Sequence, residues 1–129
     1  MSSFEVVGGK KLSGTIHPQG AKNEALQIIC AVLLSKEKII VKNVPDIIDV
    51  NKLIDLLKSL GVRVRKTSKG TFEFQSNDID LNYLNTEDFE LKGKSLRGSI
   101  MIVGPLLARF GIASIPRPGG DKIGRRRLD

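Results

Sequence analysis

The chain has 129 residues, of which 40% are hydrophobic and 27% charged, ordinary values for one soluble globular domain. This composition excludes a disordered or fibrous chain, and the longest unbroken apolar run, residues 28–34, is too short to span a membrane. The formal net charge of +7 favours an anionic partner, such as nucleic acid, a membrane surface or a phosphorylated small molecule.

The N-terminal residues and the cysteine content predict a cytoplasmic protein. The first five residues lack the basic start and apolar stretch of a secretory leader. The single cysteine, Cys30, excludes an internal disulfide, which fits a reducing compartment.

The first 61 residues predict two helices between short strands. Residues 12–16 predict a strand, and residues 21–34 a helix whose apolar side chains surround most of it, so that burial on most sides is expected. Residues 39–41 predict a buried strand. Asp49 is expected to cap a second helix through Leu60, with Gly61 in the left-handed position after it. On this helix residues 50, 53, 54, 57 and 60 form an apolar stripe, while residues 51, 52, 55 and 58 point outward.

The next residues predict a hairpin and then a partial repeat. Residues 62–65 and 71–75 alternate as two strands around a turn at 67–70, giving the order β-α-β-α-β-β from residue 12 to 75. Residues 79–91 are expected to be partly extended, 95–108 helical with a break at Gly104-Pro105, and 112–115 a strand. This second unit repeats the first weakly and stops halfway, so either another copy completes it or the chain is a fragment. We favour the fragment, and self-association through its exposed core is left open.

Two predicted helices begin with a cation. Lys22 and Asn23 open the first helix, where the positive end of the helix disfavours a lysine unless an anion joins it. Arg97 has the corresponding place in the later helix. Phosphate or carboxylate binding is one interpretation; solvated surface side chains are the other.

Residues 116–129 are rich in Gly, Pro and positive charge, with five basic residues against two acidic ones. Asp121 follows Gly119-Gly120, which allow the backbone to approach a ligand closely, and its carboxyl group is able to act as acid or base. A surface loop whose aspartate only balances charge is the alternative.

Other motifs carry no site. Gly93-Lys94-Ser95 mimics the end of a P-loop, but position 88 is Asp where that motif needs Gly. His17 has no companion ligands, so neither a metal nor a cofactor is expected. Cys30 is expected to fill the core.

Four separated motifs resemble the enolpyruvyl transferase family, specifically the branch that acts on UDP-N-acetylglucosamine. They are Gly20-Ala21-Lys22-Asn23-Glu24-Ala25-Leu26, Lys94-Ser95-Leu96-Arg97-Gly98-Ser99-Ile100, Gly104-Pro105-Leu106-Leu107-Ala108-Arg109-Phe110-Gly111, and Pro118-Gly119-Gly120 followed by Ile123-Gly124 and Arg126. The resemblance spans essentially the whole chain in order.

The resemblance implies a fold and a reaction. The fold would be part of an inside-out α/β barrel of β-α-β-α-β-β units, with residues 1–20 contributing to the far domain and 21–129 forming part of the first domain. The reaction would move the enolpyruvyl group of phosphoenolpyruvate to the 3′-hydroxyl of UDP-N-acetylglucosamine and release phosphate, the first committed step of peptidoglycan synthesis. This would serve cell wall biogenesis, cell shape and cell division. The fragment alone would be inactive, because the catalytic base lies in the missing part.

The resemblance also implies residue roles. Lys22 and Asn23 would bind phosphoenolpyruvate, Asp121 would donate the proton, and Lys22 and Arg126 would assist catalysis near the phosphate. The contacts to UDP-N-acetylglucosamine would come from Arg97, Arg126, Arg127, Leu128 and Asp129.

Two positions depart from many family members, which have Cys where Asp121 stands and Pro where Arg127 stands. A free Asp has a pKa of about 3.9 against about 8.5 for Cys, so an acid-shifted pH–rate profile is expected. The family thiolate is also what the epoxide antibiotic fosfomycin alkylates, so insensitivity to it is expected.

A basic nucleic-acid-binding module or a non-catalytic scaffold is the alternative function. Net charge favours nucleic acid, but Tyr83 is the only Tyr and Trp is absent, so no base-stacking platform is expected. The predicted partners are therefore the two phosphorylated substrates, with neither nucleic acid nor a membrane.

Overall fold

The computed structural model describes residues 3–116, which form four α-helices, three strands and three 3₁₀ helices. The α-helices are α1 (Lys22–Ala31), α2 (Ile48–Ser59), α3 (Glu87–Lys94) and α4 (Val103–Phe110). The strands are β1 (Lys38–Val41), β2 (Arg63–Ser68) and β3 (Thr71–Gln75). The 3₁₀ helices are Val32–Leu34, Leu81–Asn85 and Arg97–Ile102. The α/β class is confirmed, and the sheet is small, three-stranded and antiparallel.

The core lies between α1, α2 and one face of the sheet, whose order is β1-β3-β2. Fully buried Phe74 on β3 is in register with Ile39 on β1 and Val64 on β2, so an apolar row crosses the sheet toward the helices. The helices contribute Ile29, Leu33, Leu53 and Leu57, all with no exposed surface.

The second helix and the hairpin are confirmed, with one correction at the helix start. The stripe of residues 50, 53, 54, 57 and 60 is buried, Gly61 has φ +108°, and β2 and β3 pair as predicted. Asp49 does not cap α2: Ile47 occupies the cap position, without a side-chain hydrogen bond. Asp49 lies in the first turn and pairs with Lys22 instead.

Burial of the first helix and strand was predicted too broadly. The helix over 21–34 forms as α1 and a 3₁₀ turn, but Ile28 and Leu34 are 44% and 53% exposed, so one apolar side is uncovered. Strand β1 lies at the sheet edge, and its Ile40 is 58% exposed. Among residues 3–116 no further element covers these side chains.

Neither predicted terminal strand forms. Residues 12–16 and 112–115 have no ladder partner in the described part of the chain, and Leu12 and Ile16 are about nine-tenths exposed. The order observed from residue 22 is therefore α-β-α-β-β, and the barrel itself is not seen in these residues. The division at residue 20 stays a prediction.

Residues 79–91 are mostly helical, since 81–85 form a 3₁₀ helix and 87–91 belong to α3, and the predicted extended backbone is found at Asp80 and Thr86. Asp80 caps the 3₁₀ helix Leu81–Asn85 by accepting from the Asn82 amide, and the Thr86 hydroxyl caps α3 by accepting from the Phe89 amide. Acidic residues lie in the first turn of α3 and lysines in the last, and these charges stabilise the helix by interacting favourably with its dipole. Pro105 lies in the first turn of α4, so the expected break comes earlier, where the 3₁₀ helix Arg97–Ile102 ends.

Candidate anion-binding cleft

The start of α1 is fixed by a close backbone approach. A Cβ on Gly20 would lie 2.0 Å from the Asn43 carbonyl oxygen and 3.2 Å from the Pro45 ring, so glycine is required for this packing. Lys22 is the first residue of α1, and it and Asn23 are exposed. The predicted position of Lys22 at a helix start is therefore correct.

Arg97 is the first residue of its 3₁₀ helix, which packs against α1. Gly98 permits this contact, because a Cβ there would lie 3.0 Å from a Leu26 methyl group. On the inner side, the buried Ser99 hydroxyl donates to the Gly93 carbonyl oxygen at 3.0 Å. Arg97 is thereby held on an anchored segment beside α1, while the residue stays partly exposed.

The starts of α1 and α2 and residues 94–101 enclose a cleft of about 690 Å³. Lys22, Asn23 and Arg97, three of the predicted site residues, all line it. The structure thus brings together the two cationic helix starts that are 75 residues apart in sequence. Other polar residues lining the cleft are Gln27, Asp49, Lys52, Lys94 and Ser95.

Positive charge dominates the cleft, with four cations in the lining and one carboxylate. Lys22 Nζ lies 3.0 Å from Asp49 Oδ2, and Lys94 pairs with Glu90 on its own helix. Lys52 Nζ donates to the Ser95 carbonyl oxygen at 3.3 Å. Such a surface attracts anions, and it can hold phosphate or carboxylate groups by charge-assisted hydrogen bonds.

Several residues of the cleft are not among the predicted site residues. Lys52 points outward from α2 as predicted, and its outward side faces the cleft; Asp49, predicted as a cap, also lines it. Their spacing of three residues puts them on one side of α2, a pattern that was available in the sequence. What the sequence did not show is that residues 94–101 lie across from that side.

The remaining predicted site residues, Asp121, Arg126, Arg127, Leu128 and Asp129, lie outside the described residues. Within residues 3–116, no three His, Cys, Asp or Glu side chains cluster closely enough to hold a metal ion. None of the helices described is both long and apolar enough to cross a membrane.

Cys30 lies apart from the cleft, in the core. Its side chain is buried on α1, and burial raises the pKa of the thiol to about 12. The thiol is therefore protonated at neutral pH, in agreement with the prediction that it fills the core.

Comparison with known proteins agrees with the motifs. The family described as EPSP synthase (3-phosphoshikimate 1-carboxyvinyltransferase) matches residues 6–129. Among curated relatives, a UDP-N-acetylglucosamine 1-carboxyvinyltransferase of Bacteroides fragilis is 58% identical over the whole chain, and one of Porphyromonas gingivalis is 54% identical. A more distant one, from Treponema denticola, is 43% identical. The chain spans about 30% of the length of these relatives.

Proposed function

Because the chain belongs to the EPSP synthase family, we propose that the full-length protein containing it transfers the enolpyruvyl group of phosphoenolpyruvate to UDP-N-acetylglucosamine. By full-length protein we mean one of the relatives' length. The acceptor is chosen from the names of the relatives, which share up to 58% identity with this chain. The product would be the 3′-enolpyruvyl ether, and the released group would be phosphate.

The observation that carries this proposal is the cleft in which Lys22, Asn23 and Arg97 meet. Both substrates are phosphorylated anions, and phosphoenolpyruvate also has a carboxylate. Preorganised cations in a cleft stabilise charge that develops on a phosphate leaving group more effectively than water does. The excess of positive charge around the cleft also raises the local concentration of anionic substrates.

The proposed chemistry is an addition followed by an elimination. The acceptor 3′-oxygen forms a bond to C2 of phosphoenolpyruvate while the methylene carbon C3 takes a proton from the Asp121 carboxyl group. The Asp121 carboxylate left by the first step then takes a proton back from C3 of the tetrahedral ketal, and the C2–O bond to phosphate breaks, which restores the double bond. A base outside this chain accepts the proton of the 3′-hydroxyl.

The remaining roles in the proposal follow the resemblance. Lys22 and Asn23 bind phosphoenolpyruvate, and Lys22 and Arg126 neutralise the departing phosphate. Arg97, Arg126, Arg127, Leu128 and Asp129 contact the sugar nucleotide.

The wider setting is also part of the proposal. The three-stranded unit would be one part of an inside-out α/β barrel, with residues 1–20 extending to the far domain. The exposed apolar side chains of residues 4–16 support this arrangement, since they have no cover within residues 3–116. The enzyme would act in the cytoplasm, at the first committed step of peptidoglycan synthesis, and so in cell shape and division.

The test is phosphate release by the full-length protein with both substrates. We expect release that requires both substrates and that is lost in Asp121→Ala. Release with phosphoenolpyruvate alone, or no release when both substrates are present, would refute the proposal. Salt-sensitive binding of generic oligonucleotides in place of turnover would favour the nucleic-acid alternative.

A further inference from the structure

Lys52 faces the cleft from a helix that carries none of the predicted substrate contacts. It lies one turn after Asp49 on α2, and its ammonium crosses to the Ser95 carbonyl oxygen at 3.3 Å. Ser95 ends α3 and lies two residues before Arg97. Lys52 therefore approaches the segment that positions Arg97 from the opposite side of the cleft.

The four cations of the cleft form two groups, which differ in whether a carboxylate lies next to them. Lys22 and Lys94 each have a carboxylate partner, in Asp49 and Glu90. Within residues 3–116, neither Lys52 nor Arg97 has a carboxylate within ion-pair distance. For Lys52 the described contact is one long hydrogen bond to a neutral carbonyl, and Arg97 has no side-chain hydrogen bond among those residues.

Within residues 3–116, Lys52 and Arg97 are two cations of one cleft that have no ion-pair partner, and like charges repel each other, which does not favour folding. A cleft with an excess of one sign of charge is suited to attracting ligands of the opposite sign. The long hydrogen bond to Ser95 is also weak enough to be exchanged for a phosphate oxygen, which forms stronger, charge-assisted bonds.

We propose that Lys52 is a further substrate-binding residue, which together with Arg97 holds a phosphate ester group in the cleft. This inference rests on the proposed function for the identity of the ligands, since both substrates contain phosphate esters. It assigns to α2 a direct role in binding and explains why this lysine is not paired on its own helix.

The experiment compares Lys52→Gln with Lys58→Gln in the full-length protein. Lys58 is the matched control, because it is exposed on the same helix, is paired with Asp55 at 3.9 Å and does not line the cleft. We expect Lys52→Gln to raise the KM of one phosphorylated substrate roughly tenfold, the scale of one lost hydrogen bond to a charged group, with kcat within about twofold. Lys58→Gln should change neither, and Lys52→Arg should restore most of the affinity.

The two substrates distinguish the sources of phosphate. A rise confined to phosphoenolpyruvate assigns Lys52 to that phosphate, and a rise confined to UDP-N-acetylglucosamine assigns it to the diphosphate. Equal KM values for both substrates in the Lys52→Gln and Lys58→Gln variants would overturn the proposal.

Calorimetric titration with UDP-N-acetylglucosamine and with phosphoenolpyruvate separates this inference from the proposed function. If the wild-type protein shows no turnover, the proposed reaction fails. Weaker binding of either compound to Lys52→Gln than to Lys58→Gln would still support the role of Lys52, and equal binding would refute it.

Urea unfolding should show Lys52→Gln to be no less stable than wild type. If Lys52 had a purely structural role, its substitution would lower the unfolding midpoint.

Discussion

The close approach of Gly20 to the Asn43 carbonyl oxygen makes Gly20→Ala a direct test of how α1 is positioned. A Cβ at this position would lie 2.0 Å from that oxygen, about 1 Å inside the shortest separation that Cβ atoms tolerate. The obstacle is backbone, so it cannot rotate away as a side chain would. The φ of Gly20 is not in the left-handed region, so the clash is the main penalty in the folded state.

Relief of this clash requires the start of α1 to move by about 1 Å, and overpacking of this kind destabilises by about 1–3 kcal/mol. Alanine also lowers the conformational entropy of the unfolded chain, which offsets this destabilisation by about 0.4–1 kcal/mol. The central values leave a net loss of about 1.3 kcal/mol. With a urea dependence of about 2 kcal/mol per M, the unfolding midpoint should fall by roughly 0.6 M. Far-UV circular dichroism during urea unfolding measures this change, since α1 and the other helices within residues 3–116 contribute to the signal.

Gly104→Ala is the matched control, with the opposite expected sign. Gly104 lies near the start of α4, and nothing lies within 4 Å of the position of its Cβ. Alanine is favoured over glycine in a helix by about 0.5–1 kcal/mol, so this midpoint should rise. If Gly20→Ala unfolds at or above the wild-type midpoint, the close approach and the argument built on it are wrong.

Three further predictions concern titratable groups. Glu73 on the central strand lies 3.1 Å from Arg65 and 3.3 Å from Lys38, and these cations, Arg65 first, lower its pKa. The ion pairs of Glu73 therefore stabilise the fold fully above its ordinary pKa of about 4.5, and this stabilisation is lost as the pH falls through the lowered pKa. Urea midpoints measured from pH 6 to pH 3 should accordingly fall less steeply in Glu73→Gln than in wild type. For Cys30, a pKa of about 12 means that about one thiol in ten thousand is ionised at pH 8. Iodoacetamide should therefore label Cys30 only when urea unfolds the protein. Rapid labelling of the folded protein would contradict the burial of this thiol. For Asp121, the pH–rate profile of the full-length protein should shift to higher pH in Asp121→Cys, and equal optima would exclude Asp121 as the proton donor.

Much of the fold follows from local patterns. The stripe of apolar residues on α2, the glycine that ends it and the alternation of the hairpin strands are properties of adjacent residues, and each predicted its element correctly. The start and the direction of α3 are also encoded locally, in Thr86 as a cap and in the acidic-to-basic order of its residues.

The errors concern features that depend on distant partners. A strand exists only when another strand pairs with it, and residues 12–16 and 112–115 find none within residues 3–116. Burial likewise depends on what lies opposite, so Ile40 on an edge strand stays exposed between two half-buried residues, and Ile28 on α1 stays exposed beside the fully buried Ile29.

The same division applies to the cleft. Short stretches of sequence are enough to predict that Lys22 and Arg97 begin helical segments and that the chain has an excess of positive charge, because helix starts and charge are encoded locally. The three-dimensional packing was needed to show that these two cations share one cleft, that Asp49 pairs with Lys22, and that Lys52 faces the cleft with no ion-pair partner among residues 3–116. The reason is that these relations join α1, α2 and residues 94–101, whose distances are set by packing of the buried core and not by any local pattern.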